Sequence, residues 1–474
     1  MDFSTLTFLF FFLPIFLFLW YFSASIHRLA LIFVASLVFI FLGQPSSLIS
    51  LLIITLIGFA LGRAIDIRRT GGKNTSSFLW LGVLLILAIL FFQKWMNAYD
   101  GGGSGLLGNA VPLSIFPILG LSYVSFQVIS YLVDVSRNGN STELNFVNYA
   151  AYLLFFPKLV SGPLVKYKQF KDQLSNLSFD MDGVAAGLRR ILSGVVKRLL
   201  VANPLGVVAD SVFNLPTANV APHFAWLGLI AYTLQIFFDF SGYTDIAIGL
   251  AKIMGINLPE NFNFPYIAQS VGEFWRRWHM TLSGWFREYV FFPLERNRTR
   301  LNNQQVNIFI VFLLTGLWHG LTLNFIVWGA LHGIMIALES LGGGRWQKQI
   351  WRPFRHLITM AIVMLGWVFF RSTNLGYAME FIGRLAGNTN GLTTLPFSLT
   401  RPLPFIEPSF VITLVFAVIF SLPIGQIWQK IRSGFESRVL IFQFVEDIML
   451  LSLFLLAIGS YLSGSFKPNI YAAF

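Results

Sequence analysis

Residues 273–294 read EFWRRWHMTLSGWFREYVFFPL, which gathers three arginines, three tryptophans and a histidine inside an otherwise apolar chain. At about 100° per residue along a helix, Arg276, His279, Ser283 and Arg287 fall within about 80° of one another. Phe274, Trp278, Leu282, Trp285 and Tyr289 gather on the opposite side, with Trp275 and Phe286 at its margin. The pattern predicts one strongly amphipathic helix with aromatic anchors, riding a membrane surface or dipping into it as a re-entrant element. Gly284 is expected to loosen its middle and Pro293 to end it. Upstream, LPENFNFPY (residues 258–266) is a non-helical connector that lets the helix fold back into the protein. Downstream, Arg296, Arg298 and Arg300 suit anionic lipid, or equally the phosphates of a soluble donor. The pattern alone favours lipid.

The rest of the chain supplies the membrane. Of 474 residues, 55% are hydrophobic and 11% charged, whereas a soluble domain carries about 25% charged residues. Nearly uncharged runs recur at 6–22, 29–43, 48–62 and 78–92, and roughly eleven such segments approach the length of a span. The first lacks a basic flank and a small-residue cleavage site, so it is expected to be a retained span. No polar stretch between them is long enough for a soluble core. The chain is therefore expected to be a single all-α, polytopic integral membrane domain over 1–474. Its parts are N-terminal spans in 1–100, a core in 111–340, and C-terminal spans in 355–474.

The net charge of +12 needs no nucleic acid. Basic residues cluster at 63–77 (Arg63, Arg68, Arg69, Lys73) and at 166–198, both expected to be cytoplasmic loops under the positive-inside rule. Three spans precede the first cluster, which puts the N-terminus outside. The chain has no cysteine, so disulfides, thiolate metal sites and a cysteine acyl-enzyme are excluded, and no metal is expected.

Polar residues also fall in stripes. Tyr123, Gln127, Ser130 and Asp134 share one helical face, as do Tyr232, Gln235, Asp239 and Tyr243. Single Ser or Gln residues suit interhelical hydrogen bonds. Two stripes each carrying an aspartate favour the lining of a cavity. A second motif, VFLLTGLWHGLTLNFIVWGALHG (residues 311–333), holds His319 and His332 in membrane-type sequence. Buried and neutral, His319 can take a proton from a hydroxyl, the general-base task of acyl transfer. Gly316 and Gly320 leave room for backbone or substrate to approach it. A structural histidine bonded to a neighbouring helix fits the same pattern equally well, and His332 is the weaker candidate.

These two motifs resemble the bacterial branch of the membrane-bound O-acyltransferase family, closest to proteins of alginate O-acetylation. The segments SYVSFQVISYLVDV, LLFFPKLVSGPLVKYKQF, AYTLQIFFDFSGYTDIAIGLAKIMG and the ending KPNIYAAF extend the likeness over most of the chain. The resemblance implies a ring of helices with re-entrant elements around a central tunnel. It implies His319 as the catalytic histidine and His279 as the second family histidine. Arg276, Trp278, Ser283 and Arg287 would form the donor-side funnel, with Asp239, Tyr243, Gln235, Tyr123 and Gln127 as polar tunnel lining. The expected donor is acetyl-CoA or an acylated carrier, with no bound cofactor. The expected partners are membrane lipids, an SGNH-type periplasmic or secreted protein and an exopolysaccharide acceptor (alginate-like, cellulose or peptidoglycan), at a bacterial inner membrane. Glu295 and Arg296 depart from the family pattern, which usually has two glycines there. D-alanyl transfer to teichoic acid shares the amphipathic motif and is the main alternative. A transporter is a distant one.

Overall fold

The computed structural model describes residues 1–99, 118–137, 142–174, 180–296, 303–341, 349–392, 407–434 and 439–463. The glycine-rich stretch after residue 99, Arg298, Arg300 and the KPNIYAAF ending lie outside them. Every regular element among the described residues is helical. Among the described residues, eight helices are long and apolar enough to cross a bilayer, and the pair Pro408–Phe420 and Ile424–Ser433, bent by 65°, makes up to nine.

The chain packs as two units. The first, Met1–Ile191 with Tyr243–Glu260, contains α1 (Leu13–Phe22), α2 (Arg28–Gly43), α3 (Ser46–Thr70), α4 (Ser76–Tyr99), α5 (Leu121–Arg137), α6 (Phe146–Leu153), α7 (Tyr167–Leu174) and most of α8 (Met181–Val196). Residues 154–165 are non-helical yet wholly buried. Apolar surroundings tolerate such backbone only where protein surrounds it. Here the Lys158 amine donates to Gln127 and lies 4.1 Å from the Tyr152 ring centre.

The second unit, Leu192–Gly242 with the residues from Asn261 onward, begins where α8 continues through a π-helical stretch, Lys197–Ala202, into α9 (Asn203–Phe213). It then holds most of α10 (Pro222–Ile253), α11 (Val271–Arg277), α12 (Met280–Phe286), α13 (Phe292–Arg296), α14 (Gln304–His319), α15 (Leu323–Ser340), α16 (Arg352–Arg371), α17 (Leu375–Leu385), α18 (Pro408–Phe420), α19 (Ile424–Ser433) and α20 (Val439–Leu462).

Two expected loops are helical instead. Arg63, Arg68 and Arg69 ride the last turns of α3, where a basic group complements the helix C-terminus. The basic stretch 166–198 is mostly α7 and α8, and Met181–Phe213 has the length and hydropathy of a span. Two of its arginines are paired with acids within the fold. Arg190 pairs with Asp245 at 2.9 Å and with Glu260, and Arg198, 1% exposed, pairs with Asp239 at 3.1 Å.

The α14–α15 hairpin carries the second histidine motif. A Cβ on Gly316 would lie 2.3 Å from the Phe325 carbonyl oxygen, and one on Gly329 would lie 2.5 Å from that of Phe312. The glycines exist to let the two backbones touch. The space expected around His319 is therefore filled by protein, and Gly320 abuts the Phe325 ring. Gly316→Ala should force the helices apart and lower stability by about 1–3 kcal/mol, read as a fall in the denaturation midpoint. An unchanged midpoint would show that the hairpin tolerates separation.

Candidate functional site

The opening motif does not form one helix. α11 ends at Arg277, and His279 takes the left-handed conformation (φ 45°, ψ 52°) before α12 begins. Phe264 and His279 are the two non-glycine residues with positive φ among the described residues. Such a conformation is costly for a residue with a side chain and persists only where neighbours impose it. Asn261 does so. Its carbonyl oxygen accepts from Met280 N at 3.0 Å, and its Oδ1 accepts from Thr281 N at 3.1 Å and Thr281 Oγ1 at 2.7 Å. His279 Nδ1 faces the same Oδ1 at 3.3 Å. The connector thus does fold the motif back, as expected, by capping α12 from eighteen residues upstream.

α11 is anchored at its other end. Ser270 Oγ accepts from Glu273 N at 3.0 Å as the N-cap, while Glu273 accepts from Gln269 N at 2.9 Å, one residue further back than in a capping box. Glu339 of α15 accepts from Val271 N and Gly272 N at 2.7 and 2.8 Å, a carboxylate where the helix dipole favours one. Pro293 does not end the motif. A π-helical stretch, Arg287–Phe291, carries it into α13. Glu295, the departure from the family pattern, accepts from Asn307 Nδ2 at 2.6 Å and ties α13 to α14.

These breaks shape a cavity of about 500 Å³, within the usual range of small-molecule sites. Gly272, Trp275 and Arg276 of α11 line it, with Met280, Leu282, Ser283, Gly284 and Phe286 of α12. Arg287 and Phe291 add to that wall, and Ile308, Val311, Phe312, Thr315 and Ile336 form the other. Three of the four expected funnel residues, Arg276, Ser283 and Arg287, are therefore brought together. Both guanidiniums are exposed and lack an ionic partner among the described residues. The fourth, Trp278, is not there. It is 1% exposed, with ring centres 5.0 Å from both Phe262 and Trp367. The helix break rotates α11 relative to a continuous helix, turning Trp278 inward instead of toward lipid.

His279 is 1% exposed, its ring edge-on to Phe240 at 4.8 Å. Burial pushes its imidazole down to about 3, so it is neutral at pH 7. His319 ends α14, 5% exposed, with ring centres of Trp318, Trp328 and Phe370 at 4.6, 5.1 and 5.0 Å. α14 spans 16 residues, about 24 Å, short of the ~30 Å hydrocarbon layer. His319 does not line the cavity, but Thr315, one turn earlier on α14, does. His332 Nδ1 donates to the Trp328 carbonyl at 2.9 Å, and Gly366 of α16 leaves room for its ring. That is a structural setting.

None of the five expected tunnel-lining residues borders this cavity. Asp239 accepts from Arg198 Nε. Gln235 packs on Gly206 of α9. In the first unit, Tyr243 stacks on Phe3 at 4.8 Å, Gln127 accepts from Lys158, and Tyr123 is buried. Nearly all of α5 is buried, so its polar stripe marks no separate surface. Sequence reasoning missed Asn261, Glu339 and Thr315. Glu339 alone had a signal, as the one acid near the end of an apolar run.

Residues 70–379 match the membrane-bound O-acyltransferase family. The chain is 39% identical to the probable alginate O-acetylase AlgI of Pseudomonas putida, over 81% of this chain and 80% of that one. It is 32% identical to the peptidoglycan O-acetyltransferase of Helicobacter pylori, over 70% and 68%. The teichoic acid D-alanyltransferase of Bacillus subtilis is 30% identical, over 62% and 76%.

Proposed function

The chain belongs to the membrane-bound O-acyltransferase family and is a multi-pass membrane O-acyltransferase; we propose that it moves an acetyl group from a cytoplasmic thioester toward an exported polysaccharide. The observation that carries this reading is the cavity itself, apolar in its walls, with Arg276 and Arg287 exposed on it and Thr315 one turn from His319. Guanidiniums suit the phosphates of coenzyme A or of a phosphopantetheine carrier. The acyl end would then point along α14 toward His319.

In the proposed step, His319 takes the proton of an acceptor hydroxyl while its oxygen attacks the thioester carbonyl. The carbon–sulfur bond breaks, an ester forms, and the thiolate leaves and recovers the proton from the imidazole. His279 acts through the joint between α11 and α12, which positions Arg276 against Ser283 and Arg287. The acceptor hydroxyl belongs to an SGNH-type partner that passes the acetyl group to polymer. The N-terminus lies outside on this reading if the shorter apolar helix Phe8–Phe22 crosses the membrane together with α2 and α3, whose basic C-terminal end then faces the cytoplasm. The 39% identity to a probable alginate O-acetylase, against 30% to a D-alanyltransferase over less of the chain, favours acetyl.

The test offers purified protein labelled acetyl-CoA and labelled acetyl- and D-alanyl-carrier side by side, with the SGNH partner and polymer present. Acetyl label should move, and movement of D-alanine alone would replace this reading. Arg276→Ala and Arg287→Ala should each raise the donor KM about 10-fold with kcat little changed, since a charge-assisted hydrogen bond contributes about 1.5–3 kcal/mol. Unchanged KM in both variants would remove the arginines from the donor site.

A further inference from the structure

The cavity and His319 are separated by the thickness of a few aromatic rings, and one of these belongs to the cavity wall. Trp275 lines the cavity and is 7% exposed. Its ring meets Trp328 edge-on at 5.6 Å and Phe312 at 5.3 Å. Trp328 in turn stands edge-on to His319 at 5.1 Å. Thr315 also borders the cavity, about 6 Å along α14 from His319. The indole nitrogens of Trp275 and Trp328 are both buried without an acceptor among the described residues. Leaving such donors unsatisfied is unfavourable, so what holds these residues in place is their bulk.

We infer that Trp275 sets the length of acyl group the enzyme transfers. The inference rests on reading the cavity as the donor site. On that reading, the thioester carbonyl reaches His319 from the part of the cavity that Trp275 and Thr315 border. Whatever carbon chain extends beyond the carbonyl must then fit against Trp275, Trp328 and Phe312. A methyl group needs little space there. Each added methylene meets a packed ring, and one methylene in an apolar pocket typically changes discrimination by about 10- to 200-fold. The cavity itself is wide enough for longer chains, so selection falls to this constriction and not to the cavity walls. The capping of α11 by Ser270 and Glu339 holds Trp275 in register, one turn from the first helical residues.

The test measures thiol release from acetyl, butanoyl and octanoyl thioesters, competed in equal amounts, by the protein in lipid nanodiscs with its acceptor. CoA esters and carrier esters are both offered. Wild-type protein should favour acetyl over octanoyl by at least about 100-fold. Trp275→Ala should shrink that ratio at least 10-fold, and Trp275→Phe should give an intermediate ratio. Trp285→Ala removes an indole from the same motif that does not border the cavity, and should leave the ratio unchanged. If Ala destabilises the protein, the Phe variant and Thr315→Leu decide, the latter narrowing the passage and disfavouring butanoyl further. A wild-type preference for acetyl that survives in folded Trp275 variants overturns the inference while leaving the donor reading intact. Wild-type protein that consumes no thioester of any length overturns both.

Discussion

His319→Gln should lower acyl transfer by about 10²- to 10⁴-fold, the usual contribution of a positioned general base, with the protein still inserted and monodisperse. Glutamine keeps a polar end of similar reach but cannot accept and return a proton near neutral pH. The fold should absorb it, because glutamine fills much of the space that the imidazole occupies among the rings of Trp318, Trp328 and Phe370. The contrasting variant is His332→Gln. That imidazole donates to the Trp328 carbonyl and fills the recess at Gly366, so its loss should lower the denaturation midpoint more than the rate. Transfer rates with saturating donor, measured beside denaturation midpoints, separate the two outcomes. A His319→Gln enzyme retaining near wild-type turnover would require another base.

Removing either partner of the Arg198–Asp239 pair should cost about 3–5 kcal/mol. The two side chains are 1% and 9% exposed, and the N–O distance is 3.1 Å. Loss of one takes the ion-pair partner from a charge that stays buried. Replacing both together, as Arg198→Met with Asp239→Leu, should recover most of the loss, because desolvation of two ions offsets much of their attraction. Thermal denaturation of the two single variants and the double variant measures the coupling. The result also decides what Asp239 is for. An Asp239→Ala protein of unchanged stability and lost activity would restore the aspartate to the tunnel lining that its helical stripe suggested.

Much of the architecture was legible in the chain. Uncharged runs foretold α2 and the starts of α3 and α4 within two residues, while α3 and α4 each run on about seven residues or more past the expected end. The connector before the amphipathic motif was legible too, since proline and asparagine disfavour helix locally. Three of the four funnel residues meet on one cavity because a seven- or eleven-residue spacing survives a break that both flanking helices straddle. Trp278 did not survive it. Left-handed backbone usually announces itself as glycine or asparagine, and a histidine at that position carries no such mark.

Composition and hydropathy by themselves determined that this is an all-helical membrane protein, and motif spacing brought Arg276, Ser283 and Arg287 onto one face, since hydropathy and periodicity are sums over neighbouring residues. Only the tertiary structure decided which way Trp275 and Trp278 face and that Arg198 belongs to Asp239. It also showed that the glycines beside His319 seat a neighbouring helix. Those outcomes depend on groups far away in the chain, on Asn261 bending the backbone at His279 and Glu339 holding the start of α11. A local pattern cannot encode a conformation that a distant side chain imposes.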